Sequence, residues 1–312
     1  MKKVIYKQYG NADVVQLIEM PVPTIPEKGI LVKIKAVSIN PLDWKIFKGE
    51  MRLMSGSRFP KGIGIDFSGS IEKTGSSISS YKEGDEVFGI LDAFKGDALA
   101  EYIVVRERDI AIKPKNISFE QAAASPVAGL SALQLVNGLA PIKSGTRLLV
   151  NGATGGIGMF LIQLAKKRGA IVTGVTSSKG IVMAKNWGAD ETIDYKTQSI
   201  FAPNHRYDVV IDLSGKLSFK ASKSLLTARA TFITTIPGIK AMAGSFLNNL
   251  FSATKYKVLV LKPTADSLKT LAAIIEEGLD IVVEKVYPIA AAKSAYEEVA
   301  RGGLVGKAVI TV

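Results

Sequence analysis

Apolar and polar positions alternate with a period of two over much of Gly29-Ile30-Leu31-Val32-Lys33-Ile34-Lys35-Ala36-Val37-Ser38-Ile39, the signature of a half-buried strand. Shorter apolar stretches at 3–6, 14–18, 67–72, 86–90 and 100–105, the last leading into 110–114, are separated by glycine-rich turns such as Tyr81-Lys82-Glu83-Gly84-Asp85. The proline-rich crossing Pro21-Val22-Pro23-Thr24-Ile25-Pro26 cannot join a central ladder, and Asn40-Pro41-Leu42-Asp43-Trp44-Lys45 ends the long strand. Many short strands of this kind predict a partly open β-barrel over residues 1 to about 124.

The period then changes. Ser118 stands three residues before Gln121, a capping box that opens a helical linker, and an apolar helix over 126–136 leads across a domain seam. Beyond it strand and helix alternate: a strand at 148–151, a helix at 159–165, a strand at 171–175, a helix closing at 184–190, a short extended stretch at 191–195, and strands at 207–212 and 230–236. Such alternation predicts an α/β domain with a doubly wound parallel sheet, its ligand lying across the carboxyl ends of the strands. The stretch 238–262 carries Lys240, Lys255, Lys257 and Lys262 with no acid, and Phe246, Leu247, Leu250 and Phe251 at helical spacing. It fits a lid, a dimer face, a membrane-surface helix or an ordinary core helix. Leu268, Leu271, Ile274 and Ile275 then form one apolar helix face before Gly278.

The seam delivers the chain to its most informative stretch, Leu148-Leu149-Val150-Asn151-Gly152-Ala153-Thr154-Gly155-Gly156-Ile157-Gly158. Gly152, Gly155 and Gly158 form a GxxGxxG variant of the dinucleotide fingerprint, set between a strand and a helix. The three glycines serve separate ends, which are turning the chain, letting amides approach a pyrophosphate, and letting the helix pack on its strand. The helix N-terminus adds donors and a favourable dipole. At the end of the second strand, Thr176-Ser177-Ser178-Lys179-Gly180 contains no acid for a ribose 2′-hydroxyl. Its hydroxyls and ammonium suit a 2′-phosphate, so NADPH is expected over NADH.

Composition narrows the chemistry. Of 312 residues 47% are apolar, enough for two cores. There is no cysteine and one histidine, His205, read as a loop residue, which removes disulfides, thiol nucleophiles and Cys-ligated metals. The formal charge of +12 fits attraction of a polyanionic cofactor or loose peripheral contact with an anionic membrane. Nucleic acid is not expected, since no recognition motif or long basic run appears. No apolar run is long enough to cross a bilayer and no signal-peptide core follows Met1, so a soluble cytoplasmic protein is expected.

Six motifs in order, Asn40 to Lys45, Gly64-Ile65-Asp66-Phe67-Ser68-Gly69, Lys82 to Val87, Gly129-Leu130-Ser131-Ala132, the glycine turn and Gly306-Lys307-Ala308-Val309-Ile310, make the whole chain resemble the medium-chain dehydrogenase/reductase superfamily. Within it the likeness is to the zinc-independent quinone oxidoreductase branch, and Asn40 to Lys45 looks most like plant chloroplast-envelope quinone oxidoreductase homologues and alkenal reductases. The resemblance implies a GroES-like catalytic domain, 1–124 completed by 263–312, and a Rossmann NADP-binding domain, 125–262, with a cleft between them. It implies a homodimeric enzyme that works without zinc and passes hydride from NADPH to a quinone or an α,β-unsaturated carbonyl. By motif position Asn40 would be a polar contact in the cleft, and Lys45 would reach the nicotinamide ribose or the developing oxyanion. A tyrosine stands near that place in many quinone oxidoreductases, so the lysine points to the alkenal-reductase side. The same transfer puts Ser131 beside the nicotinamide, and Thr154, Gly155, Gly156 and Ile157 at the pyrophosphate with Gly152 and Gly158 shaping the turn. It puts Ser177 and Lys179 at the 2′-phosphate, Tyr195 along the adenosine ribose or phosphate, and Ser214 and Ile236 at the adenosine and nicotinamide sides. No general acid is assigned; water is the expected proton source. The alternative is an NADPH-binding protein with little catalysis, as crystallin and vesicle-protein relatives suggest.

Overall fold

In a computed structural model that describes residues 1–201, 206–236 and 238–312, the first part of the chain forms the strands Lys2–Tyr6 (β1), Val15–Glu19 (β2), Ile30–Ser38 (β3), Lys61–Gly62 (β4), Asp66–Thr74 (β5), Glu86–Ile90 (β6), Tyr102–Val105 (β7) and Ile110–Ile112 (β8). They are followed by Arg147–Asn151 (β9), Ile171–Thr176 (β10), Glu191–Asp194 (β11), Tyr207–Asp212 (β12), Leu226–Thr234 (β13) and Lys255–Val258 (β14), and then by Val283–Pro288 (β15) and Lys307–Thr311 (β16). The chain divides into two compact units, 1–127 with 263–312, and 128–262. His205 and the side chain of Lys240 lie outside the described residues.

The first unit is the GroES-like part. Its larger sheet runs β15-β16-β3-β5-β6-β8, with β7 also paired to β3, and a smaller sheet runs β2-β1-β4. The period-two pattern of β3 turns Lys33 and Lys35 outward while Val32, Ile34 and Val37 are buried. Register shifts between Leu31 and Val32 and between Ile34 and Ala36 bend β3 against β5, the curvature a barrel requires. The core takes residues from both chain ends: Tyr296 packs edge-on against Phe47 at 5.6 Å, beside Val4, Phe67 and Ile310.

Two local readings change here. Asn40 to Lys45, read as the end of a strand, opens the helix Pro41–Phe47, with Pro41 in the first turn and Asp43 Oδ2 accepting from the Asn40 amide at 2.8 Å. The basic stretch after Gly238 holds, besides the helix Ile239–Phe251, the strand β14. Only four residues long, Lys255-Tyr256-Lys257-Val258 is too short for its alternation to stand out from flanking helix periodicity.

The second unit is a parallel sheet in the order β11-β10-β9-β12-β13-β14, the doubly wound arrangement whose direction of progression reverses between β9 and β12. After β9 the chain turns at Gly152, whose φ of 89° lies in the left-handed region. The amides of Gly152 and Ala153 then both donate to Val175 O, at 3.1 and 3.0 Å, tying the turn to β10. The helix Gly156–Lys167 can settle on β9 because Gly158 has no side chain: a Cβ there would stand 2.3 Å from Ala153 O. Gly158→Ala should therefore lower the stability of this unit by about 1–3 kcal/mol. The fluorescence of Trp187, buried in the same unit, should report an earlier urea midpoint; an unshifted midpoint would contradict the close packing.

Candidate functional site

The glycine turn places the amides of Gly156, Ile157 and Gly158 in the first turn of a helix, where no earlier helical carbonyl reaches them. Gly155 is the N-cap with no capping side chain, and the first turn contains no acid. Gly156 and Ile157 are half-buried and Gly158 is buried; uncapped amides in such a first turn, at the carboxyl ends of a parallel sheet, suit an anion such as a diphosphate. Thr154 takes a different part from the one its sequence position implies. It is buried and its hydroxyl is hydrogen-bonded to that of Thr176, so the side chain fastens the turn to the end of β10 and does not face outward.

At the point where strand order reverses, Asn151 at the end of β9 donates to Asp212 Oδ1 and to Ser214 Oγ, both at 2.9 Å. Asp212, at the end of β12, also accepts from Ser214 Oγ at 2.8 Å and from the amides of Ser214 and Leu217, each at 3.2 Å. Ser214 is thus held by two partners, and Ile236 packs against Gly215 beside it. Sequence reasoning chose Ser214 and passed over Asn151 and Asp212. Their signal was a polar residue closing each of two apolar strands.

The rim near β10 joins Ser177, Lys179 and Tyr195. Ser177 O accepts from Gly180 N at 2.8 Å, Tyr195 N donates to Thr176 O at 3.0 Å, and the side chains of Lys179 and Tyr195 are exposed. No acid follows β10 in sequence, yet parallel pairing of β11 with β10 brings Asp194 to the same rim. Asp194 accepts from Ser178 Oγ and from the Lys196 amide, and these donors hold its carboxyl below the usual range. Ser131 is buried in the helix Pro126–Gln134; no described hydrogen bond ties it to the glycine turn.

In the first unit the structure corrects the reading of Asn40 as a group offered to a ligand. Its amide is buried and occupied at both ends: Nδ2 donates to Asp66 Oδ2 at 3.0 Å, and Oδ1 accepts from Lys307 Nζ at 2.6 Å. Lys307 also donates to Ile39 O at 2.9 Å, Asp66 Oδ1 accepts from Val127 N at 3.2 Å, and Tyr296 donates its hydroxyl proton to Asp43 Oδ2 at 3.3 Å. Burial pushes both Asp43 and Asp66 up to about 7, against the opposing pull of Lys307 and of the donors from Asn40. Burial likewise lowers Lys307, although both carboxylates counter it.

A cavity of about 530 Å³ in this unit is bordered by Asp43, Tyr6, Ile46, Phe94 and Lys61 among others. Lys61 spends its ammonium on the carbonyls of Ser55 and Gly56 and lies 5.5 Å from the ring centres of Tyr9 and Phe59. Lys45 is half-buried, two residues beyond Asp43; among the described residues its ammonium makes no hydrogen bond or ion pair, and it does not border the cavity.

Residues 26–115 match the family of alcohol dehydrogenase GroES-like domains, and 187–310 match one described as zinc-binding dehydrogenase. The chain is 32% identical to a chloroplast envelope quinone oxidoreductase homologue of Arabidopsis thaliana, covering 99% of this chain and 98% of that one. It is 37% identical to the NADPH-dependent alkenal/one oxidoreductase of the same plant over 69% of this chain and 58% of the relative. The Escherichia coli quinone oxidoreductase, solved with NADPH, superposes over the full length of both chains with a TM-score of 0.87 and 25% identity. The donor set here does not suit zinc: cysteine is absent from the sequence and one histidine is present. Among the described residues no group of three His, Cys, Asp or Glu is placed to hold a metal.

Lys307 is the cation closest to neutralising Asp43 and Asp66. Lys307→Met leaves both carboxyls buried and should cost about 3–5 kcal/mol. The carboxyls take protons below about pH 7, so the loss should be smaller at pH 5.5 than at pH 8. Urea unfolding followed through Trp44 at the two pH values checks this; an equal loss at both would contradict the burial of the pair.

Proposed function

The chain belongs to the medium-chain dehydrogenase/reductase family, in its quinone oxidoreductase branch, and on that premise we propose that it is an NADPH-dependent reductase of quinones or α,β-unsaturated carbonyls. The observation that carries this reading is the uncapped first turn of the helix Gly156–Lys167, free of acid, at the carboxyl ends of a parallel sheet. When bound, NADPH supplies a hydride. What this chain supplies is positioning. The amides of Gly156, Ile157 and Gly158 hold the diphosphate, and the mutual hydrogen bonds of Asn151, Asp212 and Ser214 keep the strand ends fixed around it. Ser177 and Lys179 recognise the 2′-phosphate, Tyr195 covers the adenosine ribose, and Ser131 and Ile236 border the nicotinamide. Asp194 stands on the same rim, where it accepts from Ser178 and the Lys196 amide.

In the first unit Lys45 is the group for the developing oxyanion, since its ammonium is uncommitted among the described residues, whereas Asn40 acts by positioning Lys307 and Asp66. The reading includes a homodimer. Phe246, Leu247, Leu250 and Phe251 are exposed on one helix, and β14 ends the sheet beside it. Peripheral membrane contact through the same face is the less favoured alternative. Lys255 Nζ is bound to the carbonyls of Asn249 and Ser252, and Lys257 Nζ to that of Leu139, which draws both charges away from a lipid surface.

NADPH should be oxidised by the purified chain with quinones or short enals, faster than NADH. Lys179→Glu should reduce the preference for NADPH about tenfold, or about 1.4 kcal/mol, measured as the ratio of kcat/KM for the two cofactors. An unchanged ratio would remove Lys179 from the phosphate site, and binding without turnover of any acceptor would favour the cofactor-binding alternative. Sedimentation equilibrium should give a dimer, reduced to a monomer by Phe246→Glu with Leu250→Glu; a monomeric parent chain would rule out the dimer.

A further inference from the structure

The cavity of about 530 Å³ in the first unit has the size of a small-molecule site, and the roles assigned above give it no occupant. Its wall is largely apolar. Ile18 lies on β2 with Met20 just beyond it, Ile46 on the helix Pro41–Phe47, Ile63 between β4 and β5, and Phe94 in the loop after β6.

The charges around this space are unbalanced. Four cations, Lys3, Arg58, Lys61 and Lys95, border it against two acids, Asp43 and Asp97. Both acids are occupied: Asp97 pairs with Lys3 at 2.7 Å, and Asp43 accepts from Asn40 N and from the Tyr296 hydroxyl. Lys61 gives its ammonium to the carbonyls of Ser55 and Gly56. Arg58 and Lys95 are exposed, and among the described residues neither side chain makes a hydrogen bond or an ion pair.

The two loops that carry these cations are held in place. Beside Arg58, Tyr9 is hydrogen-bonded to Ser55 Oγ at 2.9 Å, and the Phe59 ring stands edge-on to those of Tyr6 and Tyr9 at 5.8 and 5.1 Å. Beside Lys95, Asp92 accepts from Phe94 N at 2.9 Å, and Ala98 N donates to Gly64 O at 3.1 Å. The loops meet at glycines, since a Cβ on Gly62 would stand 1.7 Å from Asp97 Oδ1 and one on Gly96 2.8 Å from Gly64 O. Two uncommitted charges are thus carried on tethered backbone next to an apolar space, so an anion can meet them with little loop ordering to pay for.

We propose that this cavity binds an amphipathic carboxylate, a small molecule whose apolar body lies among Ile18, Ile46, Ile63 and Phe94 and whose carboxylate meets Arg58 and Lys95. Each half of the site selects one half of the ligand. The apolar wall takes hydrocarbon out of water, and the Arg58 guanidinium offers a carboxylate two parallel donors. A bare inorganic anion would leave the wall unused, and an uncharged hydrocarbon would leave the cations unmet. Every residue invoked belongs to the first unit, so binding asks nothing of the glycine turn.

Calorimetric titration of the full chain with decanoate, without nucleotide, tests this, with decanol and hexanoate as comparison ligands. Decanoate should bind about tenfold tighter than decanol. Hexanoate, four CH₂ groups shorter, should bind weaker by roughly tenfold or more, because each fully buried CH₂ is worth about fourfold in affinity. Arg58→Gln with Lys95→Gln should bring decanoate to the affinity of decanol and leave decanol unchanged. Lys73→Gln with Lys82→Gln removes the same charge from exposed positions that do not border the cavity, and should bind decanoate as the parent does. Ile18→Trp fills the space from a half-buried position on its wall and should lose both ligands while keeping the parent's circular dichroism. No binding by the parent, equal affinity for decanoate and decanol, an equal loss in the Lys73 and Lys82 variant, or undiminished binding to folded Ile18→Trp would each overturn the assignment. None of these readouts uses NADPH, so failure here leaves the reductase reading untouched, and failure of that reading leaves this site standing.

Discussion

A buried ammonium close to two buried carboxyls governs the first unit. Lys307 reaches Asn40, 267 residues away in sequence, and through the Asn40 amide it meets Asp66. The geometry leaves little freedom: a planar amide offers one acceptor and one donor end, and each is used. Such a cluster gains little net stability, because taking the charges out of water costs nearly what their attraction returns. What it fixes is position. The first turn of the helix Pro41–Phe47, the start of β5 and the last strand are held in one register, and Asp43 is presented at the cavity wall as a result.

The second unit solves a related problem without buried ammonium groups at its site. There the polar groups at the strand ends satisfy one another, Asn151 with Asp212 and Thr154 with Thr176, while the backbone of the glycine turn is left for an anion. Side chains stiffen the strand ends, and in the proposed site the main chain is what meets the anion. A sheet edge tuned in this way tolerates a ligand whose charge is concentrated on a diphosphate, since the donors are part of the peptide geometry and lose no rotamer freedom.

Much of this was legible in the order of residues. The glycine spacing, the strand-turn-helix context and the absence of cysteine are local properties, and a parallel doubly wound sheet is expected from alternating strand and helix periods. What was not legible depends on pairing. Asn40 looks like a strand-end amide until β16 is laid against β3 and brings Lys307 to it. Asp194 is invisible as a neighbour of Ser178 until β11 pairs with β10. Thr154, placed at the pyrophosphate by its position, turns inward because Thr176 lies one strand away. The strand Lys255–Val258 escaped notice because four residues cannot establish a period.

The discontinuity of the first unit has a consequence for biosynthesis. Every strand of the parallel sheet lies between residues 147 and 258, so that sheet can close while the chain is still emerging from the ribosome. The barrel cannot close so early, because β16, which supplies the lysine its acids require, follows the whole sheet in the chain. Until then Asp43 and Asp66 stay hydrated and the early strands wait for a partner. The order of assembly thus departs from the order of translation: the sheet of 128–262 can close before the barrel built from 1–127 and 263–312.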